Sequence, residues 1–596
     1  MAYDNGKRRG FSRRRFIQGA AAAAAASGSM LSSAAREEER GEEKHGHRRG
    51  PPSDDAPDTV LINGKIHTMD DENTVVSAMS IKDGRFAEVG NASRARHGPN
   101  TRVIDLRGRT VVPGIIDNHN HIVLMGNRPG YHTPLENAYS IPDVQAIYAA
   151  RAKEIPNGAW ITTIGGFHSN HLYTNSADPT SGRLPTLAEL DTAVPNNPVF
   201  IEIGFTGPAV TNTLGKSIFE QHGVTVNTDG SFPGIEASRA LLYLRQTLLN
   251  PEERRRSTLD AMRYATTVGV TTHLDQGAFQ ATGTVTDGAA HEDNYTMHFP
   301  FMQIYEQGKG IVRLRINFLH MESDALTPEL AQRLKNAFPF LGNDMVKTGA
   351  IGEFIATYPP ATNFVAAAKR VAAANWRAEV HSLGRRNTPM SNAADFETEI
   401  LAFEAVEADL ALKGVIRDRR WVIAHVPGIT QEWIDRLQAI GGNLSLTGWQ
   451  YLRGGLPNST VAPYAGPPFR MIVDSGKRSG GIRAGMSSDG MQIAPMNPWI
   501  HMYYATTGFN ARGEQINPGQ QITRQEVLAL YTRENGWFLR EEDELGTIES
   551  GKLADLVVLN SDYFAVPNED LKKIRSVLTV VGGNVVYDAG VLDLRG

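Results

Sequence analysis

A parallel α/β domain, flanked by a small β-sandwich built from both ends of the chain, is the fold class this sequence predicts. Two observations carry it. Through residues 113–545, apolar strand-like runs alternate with amphipathic helical stretches, the pattern of parallel strands joined by crossover helices. Residues 59–112 and 546–596 instead hold short β-type runs separated by tight-turn dipeptides, each set too small to build a core alone. Composition narrows the chemistry further. The 596 residues contain no cysteine, so disulfides, thiolate ligands and cysteine nucleophiles are excluded.

The first 35 residues form a basic leader. Ser12-Arg13-Arg14-Arg15-Phe16-Ile17 resembles the twin-arginine export motif, an alanine run from Ala20 to Ala26 follows, and Ser33-Ala34-Ala35 offers a cleavage site. The expectation is export by the twin-arginine machinery to the periplasm or beyond. Residues 36–58 are charged and rich in Pro and Gly, a linker with little to bury. The whole chain carries a net charge of −5 in spite of the basic leader. An acidic mature protein argues against nucleic acid as a partner and leaves a small molecule as the expected one. No apolar run approaches the roughly 20 residues of a membrane-spanning helix. A homodimer is left open.

In the terminal domain the strands are expected at Val60-Leu61-Ile62, Ile66–Met69, Ala78–Ile81, Phe86–Val89 and Arg102–Leu106, then at Ala554–Leu559, Val577–Val581 and Asn584–Tyr587. Asn63-Gly64, Asp83-Gly84 and Arg107-Gly108 supply the turns. Central strands are expected to begin near Val112, Val199, Val270, Leu314, Met345, Ala378, Trp421, Asn443 and Ile482. The stretch from Gly126 to Asn197, rich in Pro, Asn, Gly and Ser, reads as a long insertion.

Val111-Val112-Pro113-Gly114-Ile115-Ile116-Asp117-Asn118-His119-Asn120-His121 is the stretch around which the chemistry gathers. Histidines at i and i+2 of a strand share one face, which suits Zn²⁺ or a similar borderline cation better than it suits core packing. Later apolar runs end on His381, on His425 and on Asp489, and Met345-Val346-Lys347 places a lysine inside another. Each has a plainer reading: a buried histidine satisfied by its neighbours, or Lys347 paired with an acid such as Glu353.

The order His-x-His, Lys, His, His, Asp resembles the binuclear branch of the amidohydrolase superfamily. The flanking text, including Gly546-Thr547-Ile548 and Gly551-Lys552-Leu553-Ala554-Asp555, is similar to amidohydrolase family 3. That resemblance implies a (β/α)₈ TIM barrel for residues 113–545, so one of the nine candidate strands lies outside it. It implies two divalent metal ions, Zn²⁺ first among the choices, held by His119, His121, His381, His425 and Asp489. Lys347, N6-carboxylated, would bridge them as a carbamate. Asp489 would also be catalytic, taking a proton from water and handing it to the leaving group. The implied activity is hydrolysis of a C–N bond in an amide, formamide or cyclic amide. Ester or lactone hydrolysis, a lyase reaction, or a binding protein without turnover are the alternatives.

The sequence departs from the family around the substrate. Asn212 has no histidine beside it, Gly384 is followed by Arg385-Arg386, and Thr447-Gly448-Trp449-Gln450 replaces the usual Gln-Pro. Trp449, Tyr451, Phe167 and His168 could line an aromatic substrate pocket, and His273, His171 and His291 are further polar candidates.

Overall fold

The structure, a computed structural model, describes residues 56–91, 98–178, 180–204, 207–277, 297–356, 361–382, 395–453 and 466–594. The twin-arginine leader, nearly all of the linker, His291 and Arg385-Arg386 lie outside the described residues.

Short strands form where aliphatic and β-branched residues sit between turn residues: β1 (Thr59–Ile62), β2 (Lys65–His67), β3 (Val75–Val76), β4 (Ala78–Lys82), β5 (Arg85–Gly90), β6 (Arg102–Asp105) and β7 (Thr110–Pro113). Asn63, Asp83 and Arg107 take positive φ at the expected turns. After β7, Gly114 turns the chain into β8 (Ile115–Asn120). A Cβ at Gly114 would lie 2.2 Å from the Thr271 hydroxyl, so only glycine permits this approach.

The next segment differs from the expected loop-like insertion. It folds around its own sheet of β9 (Tyr131–His132), β10 (Ile161–Ile164), β11 (Val199–Glu202) and β12 (Ala209–Thr211), in the order β12-β11-β10-β9. One apolar cluster around Tyr148, Ile161 and Val199 supports it, and a second holds Phe200, Phe219 and Leu244. The Val199 run is therefore the candidate strand that falls outside the central set. Its flanking residues carry no mark of that, because sheet membership depends on pairing across the chain.

The central strands are β8 with β13 (Val270–Asp275), β14 (Arg313–Phe318), β15 (Val346–Ile351), β16 (Glu379–His381), β17 (Val422–Ala424), β18 (Asn443–Thr447) and β19 (Ala484–Ser487). They pair in parallel as two four-stranded sheets, β15-β14-β13-β8 and β16-β17-β18-β19. The sheets meet at both edges. At one, the Ile351 N–H donates to the Arg377 carbonyl at 3.0 Å and the His381 N–H to the Glu353 carbonyl at 3.0 Å. At the other, the Asp489 N–H donates to the His119 carbonyl at 2.9 Å. Parallel pairing brings the C-terminal ends of these strands to one end of the assembly. Helices cover the outer faces with a large apolar cluster that includes Phe403, Trp421 and Trp499. The indoles stay satisfied inside it: Trp421 donates to the Trp376 carbonyl and Trp499 to that of Val268, each at 2.9 Å.

The chain returns through β20 (Leu556–Leu559), β21 (Ser576–Val581) and β22 (Asn584–Asp588). β20 pairs antiparallel with β7, giving the order β22-β21-β20-β7-β2-β3 beside a second sheet β5-β4-β1-β6. Leu61, Phe86, Ile104, Val111, Leu556 and Val558 share one apolar cluster, so each chain end buries what the other exposes. The Arg313 guanidinium grips the Asp555 carboxylate at 2.7 and 2.8 Å, tying this region to β14. Among the described residues no helix is long and apolar enough to cross a membrane.

Candidate metal centre

Six side chains converge at the C-terminal ends of the central strands. His119 is the penultimate residue of β8 and His121 lies just beyond that strand, Glu353 follows β15, His381 ends β16, His425 follows β17 and Asp489 follows β19. His119, His121, Glu353 and Asp489 form one group whose potential ligand atoms lie within 4.8 Å of each other; Glu353, His381 and His425 form a second. Glu353 belongs to both. His425 and Asp489 reach their places with φ of 70° and 57°, a region that costs energy for residues with a side chain and that clusters at functional sites.

The imidazoles are oriented from behind. Nδ1 of His121 faces the Gly277 carbonyl at 2.8 Å, which fixes the proton there and turns Nε2 toward Glu353 at 3.3 Å and Asp489 at 3.5 Å. Nδ1 of His119 faces Glu379 at 3.1 Å, and its Nε2 lies 3.8 Å from both Glu353 and Asp489. Nδ1 of His425 pairs with the Thr447 hydroxyl at 3.1 Å, leaving Nε2 3.7 Å from Glu353. His381 contacts the Glu353 carboxylate directly through Nδ1.

The donor set fits a divalent cation. Nε2 of His119, Nε2 of His425, Oε2 of Glu353 and Oδ2 of Asp489, all in residues of the two ligand groups, are buried without a hydrogen-bond partner. Unpaired buried polar atoms are costly, and their gathering within the two ligand groups is explained by divalent cations and the water such cations would hold. The electrostatics agree. Burial would raise Glu353 and Asp489, yet the surrounding imidazoles hold both carboxyls below their usual range, with Glu353 far below. Burial would lower His121, but Asp489 and Glu353 outweigh it and hold it well above its ordinary value. Burial takes His425 down to about 4. Without a cation the pocket needs charged imidazoles to balance two buried carboxylates; a bound metal supplies that charge with the imidazoles neutral.

Lys347 corrects the expected ligand set. It is the second residue of β15 and sits at the opposite end of that strand from Glu353, on the order of 20 Å away at about 3.3 Å per strand residue. Its ammonium pairs with Glu541 at 3.1 Å, neither with Glu353 nor with any candidate ligand. A carbamate there would not reach the histidines, and the carboxylate common to both groups is Glu353.

Glu379 is the other residue that sequence reasoning passed over. Buried on β16, it accepts from Gln276 at 2.8 Å and pairs with Arg377 at 3.3 Å while holding His119. A signal existed for each acid. Glu379 lies two residues before His381 and so shares its strand face. Glu353 stands just past a strand end, where His425 and Asp489 also stand.

Among the expected substrate residues, Trp449 is buried just beyond β18, and its indole N–H has no partner. Both amide atoms of the adjacent Gln450 are equally unpaired. Phe167 is buried beyond β10, where Gly166 donates to the Gln492 carbonyl at 2.9 Å, three residues past Asp489. His168 caps the short helix Ser169–Leu172 by accepting from the Asn170 N–H at 3.1 Å. His273 lies inside β13, buried, held down to about 3 by burial, and belongs to neither ligand group. His171 is buried between the rings of Tyr139 and Tyr451.

The sequence profile of the Amidohydrolase family matches residues 102–587. An N-substituted formamide deformylase of Arthrobacter pascens is 25% identical over 563 residues, 89% of this chain and 98% of that protein. A putative amidohydrolase, YtcJ, of Bacillus subtilis (strain 168) is 23% identical over 566 residues, 88% of this chain and 98% of that protein. The crystal structure of an uncharacterized metal-dependent hydrolase from Pyrococcus horikoshii shares the fold with a TM-score of 0.53. It is 16% identical and covers 86% of this chain and 99% of that one.

Proposed function

The chain belongs to the amidohydrolase family and is a metal-dependent hydrolase of C–N bonds; on that premise we propose that Glu353 joins two divalent cation sites in one catalytic centre. His119, His121 and Asp489 complete one site and His381 and His425 the other. With only nitrogen and oxygen donors, four of them imidazoles, Zn²⁺ is the favoured ion. Cations held there would supply Lewis acidity and lower the pKa of a water toward about 7. We assign the proton work to Asp489. Its Oδ1 lies 3.5 Å from Nε2 of His121 on the cation side, and its unpaired Oδ2 would take a proton from the attacking water and return it to the departing nitrogen. The observation that carries this reading is the sharing of Glu353 by both groups of ligand atoms.

Likeness to the formamide deformylase along nearly its whole length favours an N-substituted formamide, cleaved by water to an amine and formate. Trp449 and Phe167 would line the apolar side of its pocket. In the same reading the eight central strands close into a (β/α)₈ barrel, the two smaller sheets pack as a sandwich, and the folded enzyme is exported by the twin-arginine route. The test is formate and amine release from a panel of N-substituted formamides, amides, lactones and esters, before and after chelation and after Zn²⁺ is restored. Activity that survives complete metal removal sinks the metal assignment. Turnover of esters alone sinks the C–N assignment.

A further inference from the structure

At the N-terminal ends of β14–β16, opposite the metal ligands, lies a cavity of about 190 Å³. Gly349 in its wall packs closely on Asn317, where a Cβ would come within 2.3 Å of the amide oxygen. Four cationic side chains line it, Arg315, Lys347, Arg377 and Arg540, against the single carboxylate of Glu541. That carboxylate is already shared: Arg315 grips it through two bonds of 2.7 and 2.8 Å, and Lys347 approaches at 3.1 Å. Arg377 is buried and reaches Glu379 behind the wall, yet its Nε has no partner. Arg540 donates to the Asp418 carbonyl and presents its charge at the exposed side.

We propose that this cavity is a binding site for a small oxyanion, a carboxylate or a phosphate, held by Lys347, Arg377 and Arg540. Excess positive charge in a partly enclosed space is expensive unless an anion shares it, and guanidinium and ammonium groups around a gap of this size match oxyanion geometry. Burial takes Arg377 down to about 10 in spite of Glu379, with Arg420 and Arg540 adding to the fall, as expected where positive charge is under-compensated. The site is separate from the candidate metal ligands. It adjoins them through Glu379, which holds His119 at 3.1 Å and is reached from the cavity by Arg377 at 3.3 Å and by Asn317 at 3.4 Å.

The experiment is calorimetric titration of the metal-loaded protein with sodium acetate and, separately, potassium phosphate. Wild type is compared with Lys347→Met, Lys347→Arg and Arg540→Gln at equal metal content. Anions that bind at the metals will do so in all four proteins. The proposal expects one further binding event in the wild type, weakened about ten- to a hundredfold in Lys347→Met and in Arg540→Gln, and retained in Lys347→Arg. The anion that gives that event identifies the source, carboxylate or phosphate. Identical isotherms in all four proteins overturn the proposal, as does binding of neither anion beyond the metal centre. Should Lys347→Met fail to fold, the Arg540→Gln comparison decides in the same way.

Discussion

Glu379 and His119 lie 260 positions apart in sequence and meet at 3.1 Å, the carboxylate fixing which imidazole nitrogen keeps its proton. Such outer carboxylates orient a ligating histidine and raise its basicity. Glu379→Gln should weaken metal binding about 10- to 100-fold without removing any ligand. Chelator competition measures this; unchanged affinity would show that His119 needs no anchor.

Glu353, not Lys347, is common to both ligand groups, and Lys347 pairs with Glu541 instead. Glu353→Ala removes the carboxylate common to both groups, so metal content should fall first and activity with it. Lys347→Ala should keep its metal and most of its activity. Elemental analysis and rates on the same preparations distinguish them, and metal loss in Lys347→Ala alone would restore the bridging lysine.

Asp489→Asn separates ligand from proton carrier. Four histidines and Glu353 remain, so the protein should keep its metal, while turnover drops by about 10²–10⁴, the usual loss when a general acid–base is removed. Near-normal turnover on a good substrate would refute this assignment.

Glu136 predicts a pH dependence of stability. Burial pushes its carboxyl up to about 7 from an ordinary 4.5, against hydrogen bonds from Tyr264 and the Met496 N–H. The folded state therefore binds this proton more tightly than the unfolded chain. The stabilisation is complete below pH 4.5 and is lost as pH rises through about 7. Thermal midpoints of wild type should decline relative to Glu136→Gln across that window and run parallel above it. Parallel profiles throughout would mean that Glu136 is not the group responsible.

Replacing Arg13 and Arg14 together by lysine should retain activity in the cytoplasm, read by cell fractionation. Export at the normal level would rule out the twin-arginine route.

Much of the site could be read from the sequence because its geometry is local. An apolar run that stops on His381 or precedes His425 shows a strand end, and His119 with His121 shows a shared face. Lys347 misled because the order of residue types matched while its position in the strand did not. Six residues separate it from Glu353, enough to put the two at opposite ends of β15. Which of the nine candidate strands lies outside the central set is not legible, because the Val199 run has the same apolar texture as β17 and only its pairing with β10 and β12 sets it apart. Glu379 became visible through contacts with His119 and Gln276, residues more than a hundred positions away.

The seam between β8 and β19 has a consequence for biosynthesis. Asp117 accepts from the Ser488 N–H across 371 positions, and His119 meets Asp489 along the same line. While the chain is still on the ribosome, His119 and His121 are made early and must wait for most of the polypeptide to emerge. A nascent chain thus presents only fragments of the ligand set, each with weak and unselective affinity. Selection of the right ion falls to the finished polypeptide, once its last central strand has docked against its first.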